Sequence, residues 1–171
     1  MTRKDPSPPS VPSAYQTDPF IVGYRTPPLG DIKALLATVP KGVQLMRADR
    51  VYGADHLRHA AALAARAFTE GRARSADVAT ETLLYAAGER QIGKALAFLG
   101  LAEGATSVAV VAWSEPWTPP ASWARDDAAL AGGPHVLDAF GVGEAERAMF
   151  PRERWGDLIL EKVALTDVLK A

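Results

Sequence analysis

Three groups of residues in this 171-residue chain have types and spacings that could do chemistry. His56 and His59 stand three apart with Asp55 beside them, and two imidazoles with a carboxylate are metal-ligand types. A helical ligand pair more often takes the i, i+4 spacing, and the sequence shows no third or fourth ligand. Planar, protonatable imidazoles also suit stacking on a nucleobase or meeting a phosphate. Glu81 falls inside an otherwise apolar run, TETLLYAAG. A carboxylate there serves as a general base in a cleft, as a cap, or as the partner of an arginine such as Arg90. The third group, Gly88-Glu89-Arg90-Gln91-Ile92-Gly93-Lys94, sits at a helix–helix corner. Arg90 and Lys94, four apart, share a helix face, the glycine keeps the surface low, and helix N-termini favour anions.

Other signals bound the function. The chain has no G-x-x-x-x-G-K-[ST], no G-x-G-x-x-G after a strand, no G-x-S-x-G and no H-E-x-x-H. Gly141-Val142-Gly143 begins like a dinucleotide loop but follows no strand and lacks the third glycine. The absence of cysteine excludes a disulfide framework, an iron–sulfur cluster and a thiol nucleophile. A net charge of −1 advertises no global attraction to nucleic acid, but the charges are uneven. Residues 41–100 hold nine Lys or Arg against six Asp or Glu, whereas 101–171 hold six against eleven. Arg47, Arg50, Arg58, Arg66, Arg72 and Arg74 make the first segment either a phosphate-tracking face or an ordinary solvated one. Trp113, Trp117 and Trp123 punctuate WSEPWTPPASW, which suits a partner-binding loop or a long loop pinned to the core. No apolar stretch reaches the ~18 residues of a membrane span, and the first residues carry no signal-peptide run, so a cytoplasmic protein is expected.

The elements that must position these groups follow from periodicity. Residues 1–17, with Pro6, Pro8, Pro9 and Pro12, lack the apolar groups to offset ordering and are expected to be a disordered extension. A single domain is expected over 18–171. Strands are expected at 20–24, 43–47 and 106–113, and a short helix over 32–38 capped by Asp31. A long helix starts at Gly53-Ala54-Asp55, with Leu57, Ala60, Ala61, Ala64, Ala65 and Phe68 on one stripe, and stops at Gly71. Two more helices are expected at 77–87 and 89–99, the latter with Ile92, Ala95, Leu96 and Leu99 as its stripe. Short helical turns are expected at 134–140 and 143–150, and a helix is favoured over a strand at 152–165. The fold class expected is α+β: a small, largely antiparallel sheet of about three strands packed with a layer of helices.

In chain order, Leu45-Met46-Arg47-Ala48, Gly53-Ala54-Asp55-His56-Leu57, Gly71-Arg72, Glu81 to Ile92 (ETLLYAAGERQI), Ala95-Leu96, Leu99-Gly100-Leu101 and Val108 to Val111 resemble one family. It is the kinase-binding small subunit of the KEOPS (EKC) complex, and the archaeal members are the closer match. The likeness covers about 43–113 well and 152–168 weakly, through Leu160 to Leu165. It implies a non-catalytic accessory subunit, without a cofactor, that docks on the complex's small atypical kinase/ATPase subunit and meets the other subunits indirectly. It further implies recruitment of tRNA by its single-stranded 3′ CCA end, while other subunits make N6-threonylcarbamoyladenosine beside the anticodon. Carried onto this sequence, tRNA contacts are expected from His56, Arg58, His59, Arg90 and Lys94, and kinase contacts from Gln91, Ile92 and Ala95. The Pro-rich first 17 residues and the Trp/Pro-rich stretch 113–134 depart from the family pattern. Two other readings compete: a small metal-dependent enzyme using His56, His59 and Glu81, and a pure interaction module working through the Trp/Pro loop.

Overall fold

The computed structural model describes residues 18–114 and 116–169, so the expected extension over 1–17 lies outside the described residues. Its centre is the strand β3 (Ser107–Ala112), whose run SVAVVA is buried from Val108 onward. A strand covered on both faces needs apolar side chains at every position, and β-branched residues fit it. β1 (Phe20–Arg25) pairs antiparallel on one side, with Phe20 opposite Ala112 and Arg25 opposite Ser107. β2 (Val43–Arg47) pairs antiparallel on the other, with Val43 opposite Ala112 and Arg47 opposite Val108. A fourth strand that the sequence did not signal, β4 (Ala124–Arg125), adds to β1 at Tyr24 and Arg25, giving the order β2-β3-β1-β4. With only two residues, both exposed, it carries no apolar alternation to read.

Alternation divides the sheet into two faces. Met46, Ala109, Val111 and Trp113 point to one, and Tyr24, Val43, Leu45, Val108, Val110 and Ala112 to the other. Gly23 sits where a 3-10 turn at Asp127–Leu130 presses on β1: a Cβ there would lie 2.6 Å from the Asp126 carbonyl oxygen.

The first face carries the main helical layer. α2 (Gly53–Thr69) buries Leu57, Ala60, Ala61, Ala64 and Ala67, and these small side chains let α3 (Val78–Ala87) pack closely along it. Trp113 enters the same core, its indole N–H donating to Thr82 Oγ1 at 3.2 Å. Gly88, at φ 63°, ends α3; the Gly88 and Glu89 N–H groups return to the Tyr85 and Leu84 carbonyls at 2.9 Å each. That closure holds Glu89–Gln91 outside any helix, so α4 runs Ile92–Leu99 and starts later than the expected 89.

On the second face, among the described residues, the helix present is α1 (Ile32–Ala37), capped by Asp31 Oδ1 accepting the Ala34 N–H at 2.9 Å. Trp117 and Trp123 lie beside it. Beyond the sheet, α5 (Pro134–Ala139), α6 (Glu144–Ala148), α7 (Trp155–Ala164) and α8 (Thr166–Leu169) complete the chain. Val136, Leu137, Val142, Leu158 and Ile159 form a satellite core there. Gly141-Val142-Gly143 is the turn between α5 and α6, not the entry to a dinucleotide site after a strand.

Candidate functional site

His56 organises the end of the helical layer where the corner lies. The Tyr52 N–H donates to its Nδ1 at 3.1 Å, and its Nε2 reaches the Ala86 carbonyl at 2.8 Å. Since Nδ1 accepts, Nε2 is the protonated nitrogen and the ring is neutral. Burial pushes its pKa down to about 4, against the bond to Ala86, which raises it; His59 lowers it further. The ring has no exposed surface and packs edge-on against Phe140 at 5.4 Å. His56 is therefore corrected from a tRNA contact to an internal strut tying the start of α2 to the last turn of α3. The histidine spacing in the sequence does not reveal which ring turns toward the neighbouring helix.

The strut brings the start of α2 and the 88–94 corner to the same end of the layer. Arg58 is exposed there and paired with Asp55 at 2.8 Å. His59 is half-buried, and its Nε2 is buried without a hydrogen-bond partner among the described residues. Arg90 is half-buried, while Gln91, Ile92, Gly93 and Lys94 are exposed. Among the described residues neither Arg90 nor Lys94 has an acidic group within ion-pair distance. α4 uses only half of its apolar stripe for packing. Ala95 and Leu99 are fully buried, whereas Ile92 and Leu96 are 42% and 46% exposed. Ala95 is thus corrected from a partner contact to a core residue, and Leu96 joins Ile92 one turn along on the open face.

Behind the corner a groove of about 290 Å³ opens between Gly88-Glu89, Phe98, Phe140 and Lys162. Phe98 and Phe140 meet edge to face at 4.9 Å, and the Arg50 guanidinium lies 4.8 Å over Phe98 while donating to its carbonyl at 2.9 Å. Lys162, at 4.0 Å from Glu146, and Glu89 give the aromatic walls a rim of mixed charge. The groove's residues are spread from 87 to 166, so no local motif announces it.

Glu81 does different work. Its Oε2 accepts the Arg74 N–H at 3.0 Å, the Ser75 N–H at 2.9 Å and the Ser75 hydroxyl at 2.9 Å, which pins the loop between α2 and α3. It does not pair with Arg90, and it stands at the end of α3 away from His56. Among the described residues no three His, Cys, Asp or Glu side chains gather in a way that could hold a metal ion. The arginine-rich segment is also largely spoken for. Arg47 pairs with Asp49 at 2.7 Å, Arg66 with Glu70 at 2.8 Å, and Arg72 with both Glu70 and Asp167. Asp167 also accepts the Tyr85 hydroxyl at 2.7 Å, and burial first, then this acceptor, pushes the phenol up to about 12. Among the described residues no helix is long and apolar enough to cross a membrane.

The corner presents an open apolar stripe on a small α+β scaffold, edged by Arg90 and Lys94, neither of which has an acidic group within ion-pair distance among the described residues. The chain belongs to the kinase binding protein CGI-121 family, whose model matches residues 31–139, from just before α1 to the end of α5. No curated protein matches the chain.

Proposed function

We propose that this chain is a non-catalytic, cytoplasmic accessory subunit of a KEOPS complex of archaeal type. In this reading it serves the synthesis of N6-threonylcarbamoyladenosine on tRNA, with the chemistry on other subunits. The exposed face of α4, with Gln91, Ile92 and Leu96, docks on the small kinase/ATPase subunit, and Ala95 supports that face from beneath. Arg58, His59, Arg90 and Lys94 hold the single-stranded 3′ CCA end of tRNA by phosphate contact and stacking. One observation carries the reading: in a member of a kinase-binding family, an exposed apolar pair shares one corner with two cations that have no acidic partner among the described residues. Apolar anchors with a charged rim are what protein interfaces use, and clustered cations are what a phosphate backbone meets. The test is filter binding of intact tRNA and of the same tRNA lacking its CCA end. Intact tRNA binds several-fold more tightly if the reading is right. Equal retention of both, or of neither, contradicts the tRNA role.

A further inference from the structure

The second face of the sheet carries a groove of its own, on the opposite side from the helical layer that holds α4. Two lobes of about 300 and 420 Å³ meet at Pro116 and Trp117, in the loop after β3. Val22, Tyr24 and Ala112 line the first lobe, with Phe20, 48% exposed, at its edge. Pro40 and Val43 line the second. Trp117 packs edge to face on Trp123 at 5.6 Å, and Trp123 meets Tyr24 at 5.9 Å, so the aromatic wall is braced against the sheet.

The charge of this groove is one-sided. Arg125 lines the first lobe and Lys41 the second, and among the described residues no Asp or Glu lines either. Lys41 is exposed and, among the described residues, has no acidic group within ion-pair distance. Arg125 shares Asp127 with the Gly23 N–H and keeps 68% of its side chain exposed. β4 and β2 are opposite edges of the sheet, so the two cations flank the groove, and carboxylates at both ends of an occupant would complement them. Spacing sets the occupant's backbone. Phe20 on β1 and Val43 on β2 both stand opposite Ala112, two strand spacings or ~10 Å apart. One turn of a polyproline II helix advances ~9 Å and returns residue i+3 to the face of residue i. Prolines three residues apart therefore reach one lobe each, and grooves walled by aromatic rings hold such ridges. Single-stranded RNA fits less well. Trp117 and Trp123 pack on each other, and the lining cations sit at the two ends rather than along a phosphate track.

We propose that this groove docks an acidic, proline-containing extended segment of a partner protein, with prolines three residues apart in the two lobes and carboxylates toward Arg125 and Lys41. The probe is the synthetic peptide EPPEPPEPPE, titrated into the isotope-labelled full-length protein and read by NMR. It shifts the Trp117 indole and the Ala112 amide. KPPKPPKPPK, which reverses the charge, and EGSEGSEGSE, which removes the ridge, each bind roughly tenfold or more weakly, as does the acidic peptide to Trp117→Ala. Lys41→Glu, at an exposed position that leaves the fold intact, weakens the acidic peptide several-fold and strengthens the lysine peptide. No shift at millimolar peptide overturns the proposal, as do equal binding of the three peptides and binding insensitive to both substitutions. A single-stranded RNA oligonucleotide that shifts the same signals more tightly than the peptide overturns it and assigns the groove to RNA. Shifts that follow protein concentration without peptide overturn it too, and assign the groove to a second copy.

Discussion

Acidification should expose the role of His56 as a neutral strut. Its ring is fully buried, its Nδ1 already receives the Tyr52 N–H, and a second proton there would face a donor with another donor. The folded-state pKa is about 4 against an ordinary 6.5, so the unfolded chain takes up the proton first. Stability from this group is full above about pH 6.5 and is lost as pH falls toward 4. A gap of roughly two and a half units, at about 1.4 kcal/mol per unit, amounts to about 3 kcal/mol at the acid limit. Urea unfolding followed by circular dichroism at several pH values from 7.5 to 4.5 checks this, with His56→Gln measured in parallel. Gln does not titrate, so subtraction removes the carboxylates, such as Asp49, whose pairing with Arg47 holds its pKa low. Relative to the variant, the natural chain should lose about 1 kcal/mol by pH 5.5 and roughly 2–3 kcal/mol by pH 4.5. A difference that stays constant with pH would refute the assignment of His56 as a buried neutral ring.

Two further outcomes follow from the geometry. Glu81→Ala strips the acceptor from two backbone N–H groups and the Ser75 hydroxyl, costing about 2–4 kcal/mol in urea unfolding and quickening hydrogen exchange at residues 74 and 75. Wild-type stability in that variant would contradict the loop-pinning role. On the proposed tRNA reading Arg90 meets one phosphate, so Arg90→Ala makes the slope of log affinity for tRNA against log salt shallower by about 0.7. An unchanged slope would take Arg90 out of the RNA surface.

The elements were readable where local chemistry dominates. The alanine stripe of α2, the Asp31 cap, the β-branched run of β3 and the left-handed Gly88 each state their structure within a few residues. What stayed hidden depends on contacts between distant segments. The inward turn of His56 is set by Ala86 and Phe140, and the burial of Ala95 while Ile92 stays open is set by where α4 settles on the core. Glu81 stayed open between base, cap and arginine partner because the N–H groups that donate to its carboxylate lie on the preceding loop, in a run with no helix signal of its own. The arginine surplus of 41–100 read equally as a phosphate-tracking or a solvated face, because composition does not show which carboxylate each guanidinium meets.

Docking of the kinase on the open stripe of α4 is tested most directly by isothermal titration of the kinase/ATPase subunit with the natural chain and with Ile92→Asp. Ile92 is 42% exposed and α4 packs through Ala95 and Leu99, so the variant should keep its fold and melting temperature. A buried carboxylate at the centre of the interface should cost at least ~2 kcal/mol, roughly a 30-fold rise in Kd. A Kd unchanged by the substitution, with the fold intact, would contradict the assignment of α4 as the kinase-binding face.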